Sequence, residues 1–221
     1  MKKLLLSVAV SGLLTAPVNA GNLHVEVFDN GTPVTSGSST IGTLTVLGSD
    51  TYFSQIQVTA DGAGILPLGD LSTDTLQAST SSGFSGTHVL TVEVFQTNIA
   101  ASGHVSWTGT ANALVGTPGP IAESQYTGGT LSTLGTQFDG TQTFAAGVTN
   151  GSFGPIEGTL GFFNADAQKY VVSFNAASES FSGTQQFQTT IPEPSTWAMM
   201  LVGMIGLAAG VGFRKRLRLY A

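Results

Sequence analysis

Apolar and polar residues alternate with a period of two along much of the chain between residues 21 and 190. The alternation is cleanest where the sequence reads LHVEVF at 23–28, TLTVL at 43–47, QIQVT at 55–59 and VLTVEVF at 89–95. Successive side chains of a β-strand point to opposite faces of a sheet, so this pattern predicts strands with one buried and one exposed face. Shorter runs predict further strands at 104–110, 141–145, 158–163, 170–174 and 185–189.

Turn signals separate these strands at short intervals. Asn-Gly or Asp-Gly pairs, which favour tight hairpins, occur at 30–31, 61–62, 139–140 and 150–151. A Gly- and Pro-bearing stretch at 116–120 predicts a longer loop. Many short strands without helical periodicity predict an all-β body at residues 21–190, an antiparallel sandwich or a jelly-roll-like fold. A body of this length can bury one core without disulfides, in keeping with the absence of cysteine.

The first twenty residues predict a secretory signal peptide. Lys2 and Lys3 precede an apolar run, and small residues follow at the positions that signal peptidase reads. Cleavage between Ala20 and Gly21 would leave a mature chain that begins at Gly21. We therefore expect the protein to be exported from the cytoplasm.

The C-terminal end predicts one transmembrane helix and a basic tail. Residues 197–213, WAMMLVGMIGLAAGVGF, carry no charge, and at about 1.5 Å per residue they reach about 26 Å, close to the hydrocarbon thickness of a bilayer. The tail at 214–221 holds a basic cluster that the positive-inside rule keeps in the cytoplasm, namely Arg214, Lys215, Arg216 and Arg218. The precursor is thus expected in the inner membrane, with its body in the periplasm.

A short proline motif, IPEPST at 191–196, precedes the predicted helix. Pro192 and Pro194 each fix φ near −65° and hold an extended backbone around Glu193. Over residues 191–221, this motif, the Met- and Gly-rich helix and the basic tail resemble the PEP-CTERM sorting signal of Gram-negative bacteria. The resemblance implies that an exosortase recognises Pro192, Glu193, Pro194 and the adjoining Ser195, removes the helix and tail, and passes the body to the cell surface or the extracellular matrix. A permanent anchor that is never cut is the alternative.

The charges of the body are strongly one-sided. Residues 21–190 hold twelve of the thirteen acidic residues but only one Lys or Arg, Lys169, which the net charge of −6 for the whole chain conceals. Binding to nucleic acid or to anionic lipid requires Lys and Arg to neutralise phosphate. This composition therefore excludes nucleic acid as a partner and leaves cations, basic partners and neutral glycans.

The sequence predicts no cofactor and no catalytic constellation. His24, His88 and His104 form neither an HxH nor an HExxH pattern, and no GxSxG nucleophile motif occurs. Acidic stretches at 29–31, 69–74 and 164–166 offer oxygen ligands for Ca²⁺ but lack the spacing of known calcium loops, so we interpret them as turns. Two acid pairs, Asp70 with Asp74 and Glu26 with Glu93, keep a glycoside-hydrolase chemistry open.

These features favour a non-enzymatic surface or matrix protein of an exopolysaccharide-producing bacterium, associated with biofilm or floc. The alternative is a carbohydrate-binding module or glycan hydrolase that stacks sugars on aromatic side chains, with Trp107, Tyr52 and Tyr126 as candidates. Ice binding is a third hypothesis, because a tail that resembles this one also occurs on some ice-binding proteins. Such a role would use rows of Thr-x-Thr pairs, which begin here at residues 43, 73, 108 and 141. Four such pairs are no more than chance gives in a chain so rich in threonine.

Overall fold

The computed structural model describes residues 22–40, 42–62 and 70–190 of the chain. These residues form ten antiparallel strands joined by short turns. The strands are β1 (Asn22–Asp29), β2 (Thr32–Ser39), β3 (Thr43–Gly48), β4 (Phe53–Gly62), β5 (Leu71–Thr80), β6 (His88–Val115), β7 (Ile121–Thr130), β8 (Thr133–Phe144), β9 (Gly151–Phe174) and β10 (Ser180–Thr190).

The strands belong to one sheet that bends into two halves, because β6 and β9 are long enough to contribute to both. In the first half the order is β2, β1, β6 up to residue 97, β9 from residue 165, β7 and β8. In the second half it is β3, β4, β5, β10, β6 from residue 101 and β9 up to residue 163. Register shifts between residues 97 and 103 of β6 mark the bend, as expected where extra residues break a ladder and turn a strand.

The two halves enclose a large apolar cluster. Inward positions of β1, β4, β5, β6 and β9 meet there, and they are the apolar positions of the alternating runs. The largest fully buried side chains of this cluster are Tyr170, Phe53, Phe174, Phe181, Leu23, Ile56, Leu71, Leu76 and Leu90. A smaller aromatic cluster lies near the bend and holds Ile99, Ala101, Val105, Trp107, Phe138, Phe163 and Phe187.

The all-β prediction is confirmed, and every strand predicted from alternation lies inside or largely overlaps an observed strand. Instead of the two separate sheets of the predicted sandwich or jelly roll, the strands form one continuous, nearly closed sheet. The pair Asn30-Gly31 forms the expected hairpin turn, with φ of 47° and 78°. The prediction of a turn at 61–62 is wrong, since these residues complete β4 and pair with β5.

The signal peptide, the membrane span at 197–213, the motif at 191–196 and the basic tail lie outside the described residues. Within the part of the chain that the structure describes, no helix is long and apolar enough to cross a membrane.

Candidate functional site

A row of hydroxyl side chains crosses the outer surface of the second half of the sheet. Cross-strand register places one hydroxyl on each of six strands, and neighbouring strands lie about 4.8 Å apart. The hydroxyls at the β3–β4 and β10–β6 steps are 3.2 Å and 2.8 Å apart. This hydroxyl row consists, in spatial order, of Thr45, Thr59, Thr75, Thr184, Thr110 and Ser152.

A β-bulge in β5 completes the row. The ladders of β5 with both β4 and β10 skip one residue at Asp74, so Asp74 and Thr75 both face outward while Thr73 is fully buried. Without the extra residue, one of the two flanking threonines would be turned to the wrong face, because side chains alternate strictly along a regular strand. The bulge therefore aligns Thr75 with Thr59 and leaves Asp74 and Thr75 together opposite Thr184.

The rows on either side carry amides and further hydroxyls. We call this whole surface the hydroxyl face; besides the hydroxyl row it comprises Gln57, Gln77, Ser182, Asn112, Ser72, Gln186 and Thr108. A groove of about 330 Å³ crosses it between β5 and β9 and is lined in part by Thr108, Thr110 and Thr184. The surface thus offers many donors and acceptors at fixed positions.

Two carboxylates, Asp61 and Asp74, lie at the β4–β5 side of the hydroxyl face. A hydrogen bond between them raises the pKa of Asp74 above its ordinary value. The same hydrogen bond, with another from Thr43, lowers the pKa of Asp61. The sequence suggested Asp70 and Asp74 as a carboxyl pair, but the fold brings Asp74 together with Asp61. Asp70 instead accepts a hydrogen bond from the Thr189 backbone at 2.8 Å.

Trp107 lies directly beneath this surface and is not exposed. Its side chain is fully buried, its ring contacts Phe153 edge to face with centroids 4.6 Å apart, and its Nε1 donates a hydrogen bond to Gln185 at 3.1 Å. The hypothesis that Trp107 stacks on a sugar ring is therefore wrong. The tryptophan supports β6 and β10 from inside.

The other two aromatic candidates are half-buried and belong to different parts of the sheet, Tyr52 directly before β4 and Tyr126 on β7. Tyr52 stacks on the His88 ring, with centroids 3.8 Å apart, in a cavity of about 490 Å³ at the loop end of the sheet. His88 Nδ1 lies 2.6 Å from Asp29, and Asp50 accepts hydrogen bonds from the backbones of Tyr52 and Phe53. The His88 ring and the carboxylates of Asp29 and Asp50 thus have partners within the protein. Tyr126 lies on β7 and does not line this cavity.

The outer surface of the first half carries ion pairs instead of a hydroxyl row. Glu26 and Glu93 are direct cross-strand neighbours, as the matching strands suggested. Each has a basic partner: His24 Nε2 lies 2.9 Å from Glu26, and Lys169 Nζ lies 2.8 Å from Glu93. The two carboxylates are occupied by these contacts and do not form an open catalytic pair.

The positions of the candidate loops do not support a calcium site. Asp29 is buried against His88, and Asp166 is an interior residue of β9. Among the described residues no group of three or more His, Asp or Glu side chains is placed to hold a metal ion. The three histidines lie at separate sites, on β1, at the start of β6 and near its bend.

A buried polar layer lies between the two clusters, which sequence reasoning missed. Glu123 and Tyr170 are cross-strand neighbours on β7 and β9, both fully buried. Burial raises the pKa of Glu123 to about 9 and the pKa of Tyr170 well above its usual range. Burial likewise raises the pKa of Asp166. The alternation Ile-Ala-Glu-Ser-Gln at 121–125 contains the signal, since Glu123 and Gln125 occupy inward positions of β7.

Comparison with known proteins places one part of the chain in a recognised class. Residues 190–216 match the PEP-CTERM protein-sorting motif, which confirms the resemblance inferred from residues 191–221. The chain therefore carries the signal by which an exosortase directs an exported protein to the cell surface, and the exosortase is its processing partner. No curated protein matches the chain.

Proposed function

We propose that this chain is a non-enzymatic protein of the bacterial surface or the exopolysaccharide matrix, and that its body binds neutral glycans through the hydroxyl face. The observation that carries the proposal is the hydroxyl row, with one hydroxyl on each of six adjacent strands. Sugar hydroxyls both donate and accept hydrogen bonds, and so do Ser and Thr. A surface that repeats such groups every strand can bind an extended glycan along several sugar units.

The charge of the body favours a neutral glycan over an acidic one. With twelve acids and one lysine between residues 21 and 190, the field of the body repels polyanions such as uronate-rich polysaccharides. The hydroxyl face holds Asp61 and Asp74 at one side, and these share a hydrogen bond. A neutral chain avoids the repulsion and gains the hydrogen bonds.

The positions of the two carboxyl groups whose pKa values are raised most strongly favour binding over hydrolysis. Glu123 and Asp166 are almost completely buried, at 0% and 1% exposure, so a glycan on the outer surface does not reach them. A glycoside hydrolase requires two carboxyl groups in contact with the scissile bond. The two neighbouring carboxyls on the hydroxyl face, Asp61 and Asp74, are hydrogen-bonded to each other, closer than the about 5 Å or more that separates the carboxyl groups of a glycoside hydrolase, which favours binding.

A glycan is also favoured over ice as the partner of this face. Ice binding would use a two-dimensional lattice of threonines, but the rows beside the hydroxyl row mix Gln57, Gln77 and Asn112 with serine. Glycans present irregularly oriented hydroxyls and tolerate such mixtures. An ice-recrystallisation assay provides the check: inhibition by the body at micromolar concentration would move ice binding ahead.

Sorting is tested by the mass of the protein in native cells. We expect the extracellular fraction to contain a chain that starts at Gly21 and ends between residues 193 and 196. A Pro192→Ala/Pro194→Ala variant should stay uncut in the membrane fraction. A wild-type mass that runs to Ala221 at the surface would contradict exosortase processing and indicate a permanent anchor.

Glycan binding is tested by co-sedimentation of the purified body with insoluble polysaccharides. We expect retention on neutral particles such as cellulose or cross-linked dextran and none on calcium alginate, which is acidic. Retention on alginate alone would contradict the charge argument. Release of soluble reducing sugar from any of these polymers would contradict the non-enzymatic assignment.

A further inference from the structure

A threonine hydroxyl and a glutamine amide meet in the buried polar layer between β5 and β9. Thr73 Oγ1 donates a hydrogen bond to Gln168 Oε1 at 2.6 Å, and the two residues are 95 positions apart in sequence. Both side chains are fully buried. Gln168 Nε2 donates in turn to the Leu71 carbonyl at 2.9 Å, which fixes the plane of the amide. A nucleophile and an acyl group are thus held together away from water.

The distance between the Thr73 hydroxyl oxygen and the Gln168 amide carbon is close to that from which a bond can form. A C=O bond is about 1.2 Å long, so a hydroxyl oxygen 2.6 Å from Oε1 lies no more than about 3.8 Å from the Gln168 Cδ carbon. Reacting atoms in productive ground-state arrangements are typically about 3–3.5 Å apart. A small movement of either side chain reaches this range.

A proton-carrying hydroxyl lies beside the pair, and a carboxyl group is next to that hydroxyl. The Tyr170 hydroxyl lies beside Thr73 and Gln185, and Glu123 is the cross-strand neighbour of Tyr170. The Glu123 carboxyl has no hydrogen-bond partner among the described residues. Burial keeps Glu123 protonated at neutral pH, since its pKa is raised to about 9. A neutral acid beside a hydroxyl is suited to donating and accepting protons during acyl transfer.

We propose that Thr73 and Gln168 react to form an intramolecular ester cross-link. In this step the Thr73 Oγ1–Gln168 Cδ bond forms and the Cδ–Nε2 bond breaks. The hydroxyl proton leaves with the nitrogen as ammonia, so no oxidant or second substrate is consumed. The product ties β5 covalently to β9 and closes a loop between residues 95 positions apart. In a chain without cysteine, such a link constrains the unfolded state as a disulfide would.

Peptide mapping of the wild-type protein decides the proposal. A protease that cuts after Asp and Glu releases residues 71–74 and 167–179, which contain Thr73 and Gln168. We expect one linked species, lighter than the sum of the two peptides by about 17 Da, the mass of ammonia. Recovery of the two peptides only as separate, unmodified species would overturn the proposal. The intact mass alone does not suffice, because Asn-Gly pairs such as Asn30-Gly31 also lose ammonia when they cyclise.

Three variants identify the reacting atoms. Thr73→Val keeps the shape but removes the nucleophile, so its linked peptide should be absent, and a linked peptide in this variant would contradict the assignment. Thr73→Ser retains a hydroxyl and should retain the link, which covers the case in which the valine variant fails to fold. Thr59→Val, which removes a threonine of the hydroxyl row, is the matched control and should be linked to the same extent as wild type.

Discussion

The two outer surfaces of the sheet share one geometry and differ in chemistry. In each half, one row of side chains crosses six strands with matched register. The row of the first half reads Ser36, Glu26, Glu93, Lys169, Ser124 and Thr141, whereas the hydroxyl row reads Thr45, Thr59, Thr75, Thr184, Thr110 and Ser152. Charges meet at the centre of the first row, whereas the six members of the hydroxyl row are uncharged and Asp74 lies beside Thr75 at the bulge.

This difference distinguishes an outer surface whose charged groups pair with one another from an outer surface that can bind a partner. Glu26 and Glu93 lie side by side and depend on His24 and Lys169 for compensation. Bringing a partner onto such groups removes water from charges, which costs far more than removing water from hydroxyls that regain hydrogen bonds. Binding a neutral polymer therefore costs less desolvation free energy on the hydroxyl face than on the outer surface of the first half.

The largest expected effect comes from the aromatic support beneath the hydroxyl face. Replacing Trp107 with alanine should lower the free energy of unfolding by about 3–5 kcal/mol, because a large buried ring is lost and a cavity remains. Urea unfolding followed by far-ultraviolet circular dichroism measures the change. Thr91→Ala, on the outer surface of the same strand in the first half, should change stability by no more than about 0.5 kcal/mol. Equal effects of the two substitutions would show that the second half is not held by this cluster.

A smaller effect, at most about 3 kcal/mol between pH 6 and pH 8, is expected from the buried acid between the two clusters. The folded-state pKa of Glu123 is about 9 against an ordinary value of 4.5, so the folded chain holds a proton that the unfolded chain releases. Its stabilising contribution is complete below pH 4.5 and is lost as pH rises towards 9, at a slope of at most about 1.4 kcal/mol per pH unit.

The Glu123→Gln variant isolates this contribution from that of Asp166, whose pKa is also raised. Glutamine stays neutral at every pH, so between pH 6 and pH 8 the variant should lose less stability than wild type. Urea midpoints at several pH values provide the comparison. Parallel pH profiles for the two proteins would contradict a buried, protonated Glu123.

The smallest effect is expected on the ion-paired surface. Lys169→Gln removes the contact with Glu93 and should cost about 0.2–1 kcal/mol at low salt, since both side chains are partly exposed. The loss should shrink as salt is added, because the interaction is screened. Thr184→Val on the hydroxyl face has no charge to screen, so its effect on stability should not depend on salt. A salt-independent effect of Lys169→Gln would indicate a packing role instead.

The strands with strict alternation could be predicted from the sequence, and those with polar inward residues could not. In the segments LHVEVF of β1 and LTVEVF of β6 the alternate, inward positions are apolar, so these segments indicate both the strand and its buried face. In β7, the inward Glu123 and Gln125 disguise the pattern. In β2 the sequence TPVTSGSS has too few apolar residues to show any face. The sorting motif was recognisable because its parts are contiguous in the chain.

The hydroxyl row was out of reach of sequence reasoning because it depends on register. Its members come from six strands, and a shift of one residue in any ladder would break the row. The bulge at Asp74 decides which of Thr73 and Thr75 faces outward, and the local sequence STDT does not distinguish them. For the same reason Trp107, flanked by Ser106 and Thr108, could be read as exposed although it is buried.

The most direct test of glycan binding by the hydroxyl face compares two charge insertions on one strand. Thr110→Arg places a bulky cation in the centre of the hydroxyl row, and Thr91→Arg places the same residue on the outer surface of the first half. Retention of each folded variant on neutral polysaccharide particles is measured against wild type. The account predicts at least about a tenfold loss of affinity, or about 1.4 kcal/mol, for Thr110→Arg and none for Thr91→Arg. Undiminished binding by Thr110→Arg, or equal losses in both variants, would contradict it.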